Sequence, residues 1–191
     1  MIFLCQNNQI GEYTKIPDYT ASPDFAGRAA GYTPLESTLA PDGYAVKAVA
    51  SAFWLADPTW WTVHHATVFL PRTLLAGQRQ VVSLYTRGLS WFTVQQLGPE
   101  AAREAQGIIR NAVHKDRSAK LSFQATQLQY GAMTNAMAYT WYERSGPTLF
   151  VSDAQHIVYV TGALTRQELI SYAEGLEPLG SGASASPSPS P

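Results

Sequence analysis

The stretch from Val151 to Pro178 constrains this chain more than any other, because it specifies a strand and a helix with matched start and stop signals. Ile157-Val158-Tyr159-Val160 is β-branched and aromatic, bounded by Asp153-Ala154-Gln155 before it and Gly162 after it. That pattern predicts a buried or half-buried strand. Thr165 and Glu168 then stand at capping-box spacing: the hydroxyl accepts from the Glu168 N–H, and the carboxylate reaches back to the Thr165 N–H. Leu164 and Leu169 fill the two positions of a hydrophobic staple. Leu169, Ile170, Ala173 and Leu176 recur at helical spacing, with Arg166, Gln167, Ser171 and Glu174 on the other side. Gly175 is expected to end the helix in the left-handed conformation, with Leu176 folding back towards Ile170 and Pro178 barring continuation.

A helix of roughly ten residues is marginal alone, because nucleation is costly and few bonds follow. Leu169, Ile170 and Leu176 each contribute about 1.5–3 kcal/mol when fully buried, as an upper bound. The cap adds about 1 kcal/mol. Packing against a sheet therefore holds this helix, and the cap fixes where it begins.

The preceding chain supplies the sheet. Residues 1–39 mix Asn, Gly and Pro with little periodicity and read as an irregular lead-in. Pro41-Asp42-Gly43 is a turn, after which Tyr44 to Ser51 alternates as a strand. Trp60 to Leu70 is rich in β-formers. Gln80 to Gln96 reads as two short strands or one bent strand around Arg87-Gly88. Pro99 to Val113 reads as a helix, and Leu121–Tyr130, Met137–Glu143 and Thr148–Ser152 as further strands. One domain over 40–179 follows, with residues 180–191 a disordered Ser/Pro-rich tail that has almost no apolar surface to bury.

With 191 residues the chain is long enough for a sizeable core, while a formal net charge of −1 argues against a phosphate-neutralising face and hence against nucleic acid as a partner. Cys5 is the one cysteine, which excludes an intramolecular disulfide and a Cys-based zinc site. No apolar run reaches bilayer-spanning length, so no transmembrane segment is expected. Met1-Ile2-Phe3-Leu4-Cys5 is apolar but too short for a signal peptide and lacks a positive n-region.

Four segments carry a family resemblance. They are Ala40-Pro41-Asp42-Gly43-Tyr44, the run Val81 to Val94 with its Tyr85 and Gly88, Tyr139-Thr140-Trp141-Tyr142-Glu143-Arg144-Ser145-Gly146, and Tyr159 to Leu176. Together they resemble the extracytoplasmic C-terminal domain of some bacterial anti-sigma factors and sporulation lipoproteins, a family of undefined function. More distantly they resemble the periplasmic sigma regulators and lipoprotein carriers built on half-open antiparallel barrels. The resemblance spans roughly residues 40–179. It implies a location in the cell envelope if the start is truncated, a protein or lipid/lipoprotein partner, and no catalytic residue or cofactor.

Candidate chemistry meets a plainer explanation at most positions. His64 and His65 are adjacent on a strand and point to opposite faces, and His114 and His156 bear no spacing relation to them, so no metal site is expected. Gly88-Leu89-Ser90 lacks the second glycine of a nucleophile elbow. Asp153 and His156 fit a turn and a strand entry, and Glu100 with Glu104 a solvated helix face. The tryptophans are the exception. Trp54, Trp60, Trp61 and Trp91 are the candidate ligand-binding residues, because a ring on the surface near a turn suits a peptide, sugar or lipid.

The expected architecture is α+β: a twisted, half-barrel-like antiparallel sheet of about six or seven strands with the C-terminal helix packed on one face. The expected function is a non-enzymatic regulatory or sensor module binding a protein segment or an apolar ligand along the sheet or its edge. The alternative is a lipid or lipoprotein carrier with an apolar cavity, and a third reading is a small hydrolase using His64 or His156.

Overall fold

Strands of β-branched and aromatic residues separated by tight turns pair with their sequence neighbours, and two such runs build this molecule. The computed structural model describes residues 18–20, 22–53, 79–103, 124–143 and 146–180. The elements are β1 (Asp18–Thr20), α1 (Pro23–Ala30), β2 (Leu35–Ser37), β3 (Ala45–Phe53), β4 (Arg79–Arg87), β5 (Ser90–Leu97) and β6 (Gln124–Gln127). They continue with β7 (Met137–Glu143), β8 (Gly146–Ser152), β9 (Ile157–Gly162), α2 (Arg166–Glu174) and β10 (Leu176–Pro178).

Eight strands form one antiparallel sheet in the order β1-β3-β4-β5-β9-β8-β7-β6. The meander β3-β4-β5 and the meander β6-β7-β8-β9 meet along a β5–β9 seam, where Phe92 faces Gly162 and Val94 faces Val160. The sheet is open, with β1 and β6 at its two ends among the described residues. The α+β class and the antiparallel sheet are as the sequence leads one to expect. Between β4 and β5 the two-residue loop begins at Gly88, whose φ of 58° suits the first position of a type II′ hairpin turn.

Alternation along the strands turns Phe92, Val94, Val158, Val160, Leu149, Val151 and Ala138 to one face. Helix α2 lays Leu169, Ile170, Tyr172 and Ala173 on that face. Its start is the expected one: Thr165 caps it, and both bonds of the capping box with Glu168 are made. The Tyr85 ring stacks on Phe92 at 4.5 Å between centroids, and Tyr172 meets both edge-on at 5.9 and 5.5 Å. The Tyr172 hydroxyl donates to the Tyr85 hydroxyl at 3.2 Å, so the buried polar ends are paired. Burial pushes the Tyr172 phenol well above its ordinary value, and the Tyr85 phenol is raised for the same reason.

The segment read as an irregular lead-in is regular at 18–20, 23–30 and 35–37. Ser22 caps α1 through a hydroxyl that accepts from Phe25 N–H, Pro23 fits the first turn, and Gly31 closes the helix at φ 83°. Ala26 of α1 packs with Val49 and Val81, on the same sheet face as α2. β2 pairs with β10, Leu176 facing Ser37 and Pro178 facing Leu35, so residues 35–37 belong to the same folded unit as the C-terminal strand. Gln96, buried within β5, makes this attachment: its Oε1 accepts from Leu35 N–H and its Nε2 donates to Leu35 C=O, both at 2.7 Å. The side-chain amide thus imitates a neighbouring strand.

The helix stop differs from expectation. Gly175 has φ −86° and ψ −1°, not the left-handed conformation. It is needed for room instead: a Cβ there would lie 2.6 Å from Ser37 Oγ and 2.7 Å from Leu39 N. Leu176 accordingly enters β10 rather than folding back as a cap. Of the helix expected over 99–113, the described part is helical at 99–103, and the remainder lies outside the described residues. So does the strand expected over 60–70.

Candidate functional site

Three of the four candidate tryptophans, Trp54, Trp60 and Trp61, lie outside the described residues, as do His64, His65 and His114. Trp91 follows the β4–β5 turn and is 43% exposed, beside a wholly exposed Leu89. Trp141 on β7 is half-buried with its ring 6.1 Å from Tyr159. β9 and β8 stand between β5 and β7, so Trp91 and Trp141 sit on strands about 14 Å apart and do not share a patch. Across that gap Thr93, Thr161 and Thr148 stand in register and buried, the last two hydroxyls 3.1 Å apart. Such cross-strand hydroxyl pairs stabilise a sheet.

Asp153 and His156 form the β8–β9 turn, as their spacing suggests. Asp153 Oδ1 accepts from the backbone N–H groups of Gln155 and His156 at 2.7 and 2.6 Å. His156 Nδ1 stands 3.7 Å from the same oxygen, longer than a hydrogen bond. Burial acts against the Asp153 charge, but the neighbouring imidazole and the two amides outweigh it and hold the carboxyl below its ordinary value. The carboxylate is occupied by the turn it builds. Among the described residues no group of three or more His, Cys, Asp or Glu is placed to hold a metal ion, and no helix is long and apolar enough to cross a membrane.

β6 is one of the two end strands of the sheet among the described residues. Gln124, Ala125 and Gln127 of β6 are exposed, and Thr126 is half-buried. β6 pairs with β7 on one side, Thr126 facing Ala138 and Gln124 facing Thr140. On its other side no strand pairs with it among the described residues. A short polar strand with open N–H and C=O groups is a template for one more strand.

One cation stands over this edge. Arg166, the first residue of α2, folds back over the sheet and donates from Nε to Thr140 Oγ1 at 3.0 Å and from an Nη2 to Thr126 Oγ1 at 2.9 Å. Thr140 Oγ1 in turn donates to Gln124 C=O at 3.3 Å, which fixes the hydroxyl. The guanidinium is half-buried, and no carboxylate lies within ion-pair distance of it among the described residues. The capping box takes up the Glu168 N–H and the Thr165 N–H, and hydrogen bonds from the Thr165 N–H and hydroxyl hold the Glu168 carboxyl below its ordinary value. At this corner the two threonine hydroxyls engage only two of the five N–H donors of the Arg166 guanidinium. Tyr142, on the same face as Thr140 and 76% exposed, flanks it.

Arg166 was not among the residues that the sequence singles out, since helical spacing assigns it to the solvent side. One local signal marks it. A cation in the first turn opposes the helix macrodipole, so its place there calls for another cause. No protein-family model, curated protein or solved structure matches the chain.

Proposed function

We propose that this chain is a non-enzymatic binding module of extracytoplasmic, regulatory type, which takes up an extended segment of a partner protein along the open edge of its sheet. The observation that carries this reading is the exposure of β6, a strand whose outer hydrogen-bonding groups meet no other strand among the described residues. Main-chain pairing would supply affinity and alternate side chains specificity, as in strand addition generally. The envelope location and the anti-sigma or lipoprotein kinship rest on the sequence resemblance. The carrier alternative draws no support from the space between α2 and the sheet, which Tyr85, Phe92, Tyr172 and Leu169 fill.

The test is site-directed photo-crosslinking in cell-envelope extract, with the photoreactive side chain replacing exposed Ala125. A single partner polypeptide, competed by excess unlabelled protein and absent when the same group replaces Leu89 at the far hairpin, is the expected outcome. Identical adducts from the two positions would refute edge binding.

A further inference from the structure

We infer that the segment received by β6 carries a carboxylate side chain, which the Arg166 guanidinium binds beside Thr126; this rests on the edge-binding reading and specifies its partner. An added strand would run about 4.8 Å beyond β6, and the Cβ of its residue opposite Thr126 would lie about 4.5–5.5 Å from the Thr126 Cβ on the same face. Arg166 already reaches Thr126 Oγ1 at 2.9 Å. An Asp or Glu at that opposite position thus brings its oxygens within hydrogen-bond reach of the same guanidinium edge.

Three observations converge on an acid rather than a neutral group. The guanidinium has five N–H donors in a rigid fork, of which the two threonine hydroxyls engage one each. Both threonines lie on β6 and β7, so the fork is held at the edge rather than free in solvent. Its charge has no carboxylate partner among the described residues, in a position where the helix macrodipole already disfavours a cation. An incoming carboxylate satisfies all three conditions at once, and a charge-assisted, forked contact is the strongest pairing open to it.

The experiment uses the purified chain and two short capped peptides of alternating Thr and Val, identical except for one central Glu or Gln. Binding is followed by titration calorimetry and by amide shifts of residues 124–127. The Glu peptide is expected to bind about fivefold tighter than its Gln twin at low salt. That preference should vanish in Arg166→Gln and shrink at high salt. The wild-type comparison needs no variant, so a folding defect in Arg166→Gln leaves the test standing. Equal binding of the twins to wild type overturns the acid preference but leaves edge uptake intact. No shift at 124–127 with either peptide overturns edge uptake itself. Self-association that buries β6 and excludes both peptides makes a second copy the occupant, and the inference falls.

Discussion

Replacing Gln96 by Leu tests how far one buried amide ties the start of the fold to its centre. Gln96 is 2% exposed and hydrogen-bonds both the N–H and the C=O of Leu35, itself buried. Gln96→Leu keeps the volume and leaves two buried backbone groups without partners. Each costs about 1–3 kcal/mol, and the gain from burying a more apolar side chain offsets about 1–2 kcal/mol of the sum. The expected net loss is about 3 kcal/mol. In urea unfolding followed by circular dichroism, that moves the midpoint down by about 1–3 M at unchanged slope. Gln96→Glu supplies a second reading. The introduced carboxylate matches the Leu35 N–H but opposes the Leu35 C=O, so it folds best protonated and its folded pKa lies above its unfolded value of about 4.3. Its contribution is therefore complete below that value and is lost as pH rises through the folded pKa. A loss under about 0.5 kcal/mol in Gln96→Leu, against the 1–3 kcal/mol per group above, or a pH-independent Gln96→Glu, would refute the reasoning.

Three further outcomes are expected. Gly175→Ala should cost about 1–3 kcal/mol by crowding Ser37 and Leu39; at φ −86° the change would otherwise stabilise by about 0.4–1 kcal/mol, so a raised melting temperature contradicts the close approach. Leu169→Asp places a carboxylate at a fully buried position under α2 and should abolish the cooperative transition; near-wild-type melting would refute the packing of α2 on the sheet. The pH profile of the melting temperature should fall on both sides. Asp153 and Glu168 have depressed values, so their stabilisation is present above the unfolded carboxyl values near about 4 and is lost as pH falls through the folded ones. Tyr85 and Tyr172 are raised by burial, so their share holds below pH about 10 and is lost as pH climbs towards the folded values. A flat profile above pH 10 would show these phenols to be solvated.

What the sequence made legible is local. The α2 start was readable because Thr165, Glu168, Leu164 and Leu169 signal one another within a few residues. The strands of both meanders were readable because their turns and alternation are equally short-ranged. α1 carries its own signals at Ser22, Pro23 and Gly31. Yet it offers little apolar periodicity, and what holds it is burial of Ala26 against Val49 and Val81, strands away. Gly175 announced a helix end correctly but for the wrong cause, because the crowding comes from Ser37 and Leu39, far off in sequence. The partners of Gln96 and Arg166 were not legible for the same reason: Leu35 for one, and Thr126 and Thr140 for the other, are set by topology and not by spacing. A glutamine inside a strand buried on both faces was nevertheless a warning that something polar awaited it.

The β5–β9 seam also shapes how this protein comes off the ribosome. The first meander can assemble once Leu97 has emerged, but the partner of β5 is complete only when Gly162 has followed. At translation speeds of about 5–20 residues per second, that leaves the flank of β5 unmatched for on the order of ten seconds. During that wait Phe92 and Val94 stand on a half-built template, the situation in which nascent chains stick to one another or recruit a chaperone.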